Sequence, residues 1–212
     1  MSRSWRMTVY DLDLAGSASI KGGPLRFFYM REGSAAAQHQ GLIERYDPDT
    51  GSFSCDATRL DGCGTVWIYE VAAFGSALIQ DPAISIVLSR RFELDFGPPW
   101  LVRADRIESA SGAATPRHTH RGPGLRRLLY GRLLAEMGDD LARIDEGDAW
   151  FETGTDPIIG TNISGGNSAF VRVMVLPIEL YGGKSSFVPT TAEEASKPRA
   201  VINRLFGETV LH

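Results

Sequence analysis

An all-β fold is predicted by three features of the sequence. Runs rich in Val, Ile, Leu, Phe and Tyr recur about every ten residues, 23 glycines and 11 prolines punctuate them, and an unambiguous helix start occurs only near the C-terminus. The expected strands are "GTVWIYEVAAF" (64–74), "AISIVLSRRFELDF" (83–96), "WLVRADRIES" (100–109), "AWFET" (149–153) and "AFVRVMVLPIEL" (169–180). Even spacing with turn residues between runs suits a barrel or a sandwich. The run "LRRLLYGRLLAEM" (125–137) also has helical periodicity, but its central Gly131 and its glycine-proline entry favour a pair of strands. Residues 31–63 are polar and read as loop, with a turn at "RYDPDTGSFS". In "TTAEEASKPR", Thr191 can cap a short helix that Pro198 stops. The first 80 or so residues are either extra strands or a degenerate second barrel.

Composition narrows the function classes. The 212 residues carry 22 basic and 26 acidic side chains, a net charge of −4, and the basic residues are scattered. No electrostatic grip on nucleic acid or on an acidic membrane is expected. No apolar run is long enough to span a bilayer and the N-terminus lacks an apolar leader, so a cytoplasmic location is the default expectation. Cys55 and Cys63 are expected to be reduced thiols. "NIS" at 162–164 matches a glycosylation pattern by chance.

The chemistry concentrates in "GAATPRHTHRGPGLRRLLYG" (112–131). Gly112, His118, His120, position 124 and Gly131 follow a spacing that resembles motif 1 of the cupin superfamily, G(X)5HXH(X)3-4E(X)6G. Gly147 comes after 15 intervening residues, and "GDAWFETGTDPIIGTN" fits the frame of motif 2, from Gly147 to Asn162. The resemblance covers roughly residues 84–180. It implies a jelly-roll β-barrel with an N-terminal β extension and a short C-terminal helix. The corresponding divisions are 1–83 (extension or degenerate second barrel half), 84–180 (barrel) and 181–212 (tail with the helix). Pairing through edge strands makes a homodimer the expected assembly.

Alternation sends His118 and His120 to one face of a strand, where both imidazoles reach one point. The family's motif-1 glutamate is replaced by Gly124, and its motif-2 histidine falls on Ile158 or Pro157. Only the two histidines carry over. One reading has them hold a divalent transition metal (Fe, Mn, Ni or Zn) with Glu152 as the third ligand, Asp156 being the other nearby carboxylate. A second makes them a metal-free acid/base pair, and a third leaves them without a role. Period-two counting puts Arg126, Leu128 and Tyr130 on the face of position 124. Arg126 then either holds a substrate anion or pairs with Glu152, and Tyr130 is either a pocket donor or a buried ring. Trp150 shares a face with Glu152, as core or as a stacking surface. Glu70 is a charge in an apolar strand, on an outer face or aimed at an inner partner. Arg103 and Asp105 are expected as a surface or barrel-end pair, and His39 and His212 as exposed.

The expected function is a cupin-type enzyme acting on an oxygenated or anionic small molecule by oxygenase, isomerase or lyase chemistry. Its site residues are His118, His120, Glu152, Arg126 and Tyr130. The alternative is a metal-free, non-catalytic barrel that binds a small ligand.

Overall fold

The computed structural model describes residues 2–95 and 99–211 and divides the chain into two compact units, 1–97 and 98–212. The expected division at 83/84 therefore moves to 97/98. Residues 84–95 pair with the first strand of the first unit and do not lead into the barrel.

The first unit is one antiparallel sheet built on β1 (Ser2–Ile20), β2 (Leu25–His39) and β5 (Thr58–Ala73). β3 (Leu42–Tyr46) and β4 (Thr50–Ser54) pair with opposite ends of β2, and β6 (Ile84–Asp95) pairs with β1. The long strands bend at a glycine corner. Gly33 and Gly64 face each other across β2 and β5 at φ +84° and +126°, and a Cβ on either would come within 2.0 Å of a backbone oxygen. Only glycine permits that approach. Beyond the bend the sheet packs on itself: Tyr10, Leu12, Phe28 and Ile68 share one core with Ile20, Ala37, Tyr46 and Leu60.

The expected loop at 31–63 is thus mostly strand. Alanine supplies the alternating buried face there, at Ala35 and Ala37, and alanine is a faint strand signal. The turn within "RYDPDTGSFS" does form, with Asp49 at φ +62°. Glu70 points inward. It is fully buried between Arg6 (3.2 Å) and Arg26 (2.8 Å) and accepts a hydrogen bond from the Tyr10 hydroxyl at 3.1 Å. Burial, with Glu70 beside it, pushes the Tyr10 phenol up to about 12.

The second unit has two five-stranded antiparallel sheets. One contains β12 (Ala149–Glu152), β9 (Gly124–Tyr130), β14 (Ser168–Pro177), β7 (Trp100–Ser109) and β16 (Val201–Leu211), in that order. The other contains β11 (Asp140–Asp145), β10 (Arg132–Met137), β13 (Ile158–Asn162), β8 (His118–His120) and β15 (Phe187–Pro189). The strand pair expected across Gly131 is β9 and β10. Gly131, at φ +90°, makes the corner between sheets, and a Cβ there would sit 2.6 Å from the Ser168 side chain.

The expected tail at 181–212 is built into both sheets through β15 and β16. Its short helix α1 (Ala192–Ser196) forms as read, capped by the Thr191 side chain accepting from Glu194 N. Glu194 Oε2 in turn accepts from Arg117 N at 2.8 Å, which ties the helix beside the histidine strand. Asn162 locks the nearby turns, its amide donating to the carbonyls of Ser109, Ala110 and Gly166. Both cysteines are free and exposed. No helix among the described residues is long and apolar enough to cross a membrane. His39 is half-buried, and His212 lies outside the described residues.

Candidate functional site

A cavity of about 70 Å³ lies between the two sheets of the second unit. Its walls are largely apolar, with Ile107, Leu133, Ile158 and Phe170 among them. Into it point His118, His120, Arg126, Glu152, Arg172 and Arg199.

The two histidines share a face as expected. His118 is 6% exposed, stacks on Phe187 (4.2 Å, 22°) and stands edge-on to His120 (4.8 Å, 88°). Nδ1 of His118 lies 2.8 Å from the Pro116 carbonyl, so this nitrogen carries the proton and Nε2 is left as a lone pair. His120 Nδ1 meets Ser186 Oγ at 3.2 Å, and its Nε2 lies 3.5 Å from Glu152 Oε2. Burial holds both imidazoles neutral. It pulls His118 down to about 4 against the opposing pull of its Pro116 hydrogen bond, with Arg126, Arg172 and Arg199 adding to the fall. His120 lies well below its ordinary value for the same main reason.

The opposite sheet supplies charge in a row set by register. Trp150, Arg126, Arg172 and Asp105 are successive cross-strand neighbours on β12, β9, β14 and β7. Two adjacent buried guanidiniums repel unless each has a carboxylate. Arg172 has Asp105, in a two-point pair at 2.6 and 2.9 Å, and Asn203 donates to the same carboxylate. Burial opposes the charge on Arg172, but Asp105 outweighs it and holds Arg172 above the ordinary arginine value. Arg126 has Glu152, with Nη2 2.5 Å from Oε2, while its Nη1 donates to the Gly124 carbonyl at 2.7 Å. Burial pulls Arg126 down to about 10, so it stays protonated at neutral pH. Glu152 Oε1 accepts from the Trp150 indole at 2.9 Å. The Arg126–Glu152 contact is close but off the hydrogen-bonding line, so Nη2 and Oε2 remain buried without an aligned partner.

Gly124 faces the site's carboxylate from the neighbouring strand. Glu152 is its cross-strand partner, so the acid expected on β9 is presented from β12 instead. A Cβ at 124 would lie 2.8 Å from Met174 Cγ and 3.1 Å from Arg126 Nη1, so the side chain's space is filled. Ile158, at the motif-2 histidine position, pairs with His118 and presents hydrocarbon to the cavity.

His118, His120, Arg126 and Glu152 therefore come together, and Tyr130 does not join them. The β9–β14 register shifts between Ala169 and Phe170, so Leu129 is an extra residue and Tyr130 turns to the opposite face from Leu128. Arg103 and Asp105 are both buried and belong to different pairs: Arg103 meets Glu208 at 2.6 Å. Sequence reading missed Arg172, Asp105, Ser186, Phe187 and Arg199 as site residues. Arg172 carried a usable signal, a lone charge inside an apolar strand, as at Glu70.

The site does not fit a divalent metal. Among the described residues no three His, Cys, Asp or Glu side chains form a coordinating group. Glu152 Oε2 is engaged by a permanent cation, and a dication between Arg126 and Arg172 would meet strong repulsion.

No family model and no curated protein matches the sequence. Solved structures do match. AerE from Microcystis aeruginosa aligns at TM-score 0.56 and 11% identity over 82% of this chain and 88% of its own. A cupin 2 conserved barrel domain protein from Leptotrichia buccalis aligns at 0.52 and 12%, over 82% and 84%. A variant of oxalate decarboxylase from Bacillus subtilis aligns at 0.62 and 9%, over 91% and 73%, and Mn(II) centres are described for that decarboxylase. From its strand arrangement and these likenesses, the chain has the cupin fold.

Proposed function

We propose that the second unit acts on a small, oxygenated organic anion by metal-free acid–base chemistry, isomerase or lyase in class. One observation carries the reading: Arg126, Glu152 and His120 line one largely apolar cavity, with Glu152 Oε2 2.5 Å from Arg126 Nη2 and 3.5 Å from His120 Nε2. A carboxylate and an imidazole this close on an apolar wall are placed to exchange a proton with a bound ligand. The lining charges are Arg126, Arg172 and Arg199 against Glu152, with Asp105 paired to Arg172 from outside the lining, which favours a single negative charge on the ligand.

Each residue then has a task. Arg126 polarises a ligand oxygen. Glu152 or His120 takes a proton from the ligand and returns it to a neighbouring atom, while His118, packed on Phe187, fixes the floor. The apolar walls keep out water and strengthen these interactions.

Two measurements test the proposal. Elemental analysis of native protein is expected to find no stoichiometric metal, and none gained from Fe(II), Mn(II), Ni(II) or Zn(II). Stoichiometric metal that disappears in His118→Ala would overturn it. Turnover is read as solvent deuterium entering a bound substrate. The second reading, a non-catalytic ligand-binding barrel, is favoured by imidazoles too weakly basic to collect protons readily. Binding without deuterium exchange would select it.

A further inference from the structure

The geometry points to a carboxylate-binding site formed by Arg199, Arg172 and Ser185 where the inner cavity adjoins a second, polar one. Its ligand is a short aliphatic carboxylate whose chain lies in the inner cavity. The assignment rests on the small-anion reading of that cavity, and it names the charged group and the residues that hold it.

The two cavities share a wall. Arg172, Arg199 and Val201 line the inner cavity and also an outer one of about 420 Å³, which Arg103, Asp105 and Ser185 border as well. Three cations and one acid face that outer space. Arg103 is met by Glu208 at 2.6 Å and Arg172 by Asp105, so Arg199 is the charge left over. Among the described residues no carboxylate pairs with it. One unmatched cation suits one negative charge. Arg126 does not compete for it, because Glu152 meets its Nη2 and the Gly124 carbonyl accepts from its Nη1.

Donors remain unspent at the shared wall. Asp105 accepts from Nε and Nη2 of Arg172, which leaves Nη1 with no hydrogen-bond partner among the described residues. Arg199 gives only Nη1, to Ser185 Oγ at 3.1 Å. Ser185 Oγ also accepts from Phe187 N at 3.2 Å, so its own hydrogen is available to a ligand. A carboxylate accepts several such bonds on its two oxygens, and two guanidiniums with a hydroxyl supply them. Burial, with Arg172 beside it, pulls Arg199 below the ordinary arginine value, and a bound anion relieves the repulsion between the two. A ring layer sets the ligand's direction. Arg199 lies over Phe187 at 4.4 Å and Phe187 stacks on His118 at 4.2 Å, so one ring leads from the anchor to the imidazoles. Ala200, left-handed at φ +51°, turns the chain beside that anchor and lines the inner cavity. The inner walls are largely apolar and enclose about 70 Å³, room for a tail of about three to five carbons.

The test reads binding, not turnover. Isothermal titration of the full chain gives affinity, and the Trp150 indole N–H, bonded to Glu152 on the inner cavity, is followed by two-dimensional NMR and assigned through Trp150→Phe. The probes are straight-chain carboxylates of about four to six carbons, their primary amides, acetate and inorganic phosphate. The longer carboxylates are expected to shift the indole resonance and to bind about tenfold tighter than the amides, acetate or phosphate. Arg199→Gln is expected to lower their affinity about tenfold, and Arg199→Lys to restore most of it. Arg143→Gln removes the same charge from an exposed strand position paired with Asp145, and is expected to leave the affinity unchanged. Both arginines are exposed, so neither replacement threatens the fold. Amides binding as tightly as carboxylates, an unchanged affinity in Arg199→Gln, or an equal loss in Arg143→Gln would overturn the anchor. Acetate or phosphate binding as tightly as the longer carboxylates, or no indole shift from any of them, would overturn the seat of the chain. No binding of any probe at millimolar concentration would overturn both. Metal content and deuterium exchange judge the acid–base reading separately, so either can fail without the other.

Discussion

His118 ties the stability of the second unit to pH in a direction that the structure fixes. Its imidazole is held neutral by burial, pulled down to about 4 from the ordinary 6.5. An unfolded chain therefore binds a proton at this residue below about pH 6.5, where the folded chain does not. Stability is complete above that value and falls as the pH drops toward 4, levelling off below it. The shift amounts to about 3 kcal/mol in all, of which roughly 2 kcal/mol is lost between pH 8 and pH 5. Urea unfolding of native protein and of His118→Gln at both pH values isolates the effect, because His120 and the carboxylates titrate in both proteins. The native protein is expected to lose about 2 kcal/mol more than the variant over that interval. Imidazole nitrogen shifts give the same value directly. A midpoint at or above 6, or equal losses in the two proteins, would refute the account of a buried imidazole among three guanidiniums.

Other positions give equally definite outcomes. Glu70→Gln leaves Arg6 and Arg26 buried without their carboxylate and is expected to cost about 3–5 kcal/mol in urea unfolding. Gly124→Ala places a methyl 2.8 Å from Met174 Cγ and 3.0 Å from the Val173 carbonyl, for a loss of about 1–3 kcal/mol. By the same crowding, Gly124→Glu is expected to gain no metal on incubation with Mn(II), which elemental analysis would check. Asn162→Ala removes the buried amide that ties the Ser109, Ala110 and Gly166 carbonyls together and is expected to lower stability by about 1–2 kcal/mol, read from the shift in urea midpoint.

What the sequence disclosed and what it hid divide along the range of the interactions. Strand alternation and turn glycines are local, so β5, β6, β7, β12 and β14 could be read directly, as could Thr191 at the start of its helix. The shared face of His118 and His120 needs only a period of two. Tyr130 failed by the same rule, because one bulged residue reverses every side chain beyond it and a bulge leaves no local mark in "LRRLLYG". Alanine hid the second half of β2 in the same way, since its small side chain fills a tight bend without raising hydrophobicity.

Partner choice lies further out of reach. Arg103 and Asp105 stand two apart and invite pairing, yet strand order gives Asp105 to Arg172 and Arg103 to Glu208, across 67 and 105 residues. The same nonlocal assignment sets the chemistry of the cavity. Glu152 lies across from Gly124 only because β12 pairs with β9, and that pairing brings a carboxylate to Arg126. Arg126 and Glu152 neutralise each other, while Arg199, also on the cavity lining, has no carboxylate partner among the described residues. Gly124 thus does more than leave a ligand position empty. With no side chain of its own, it faces Glu152 across the strand pair, and that carboxylate meets Arg126.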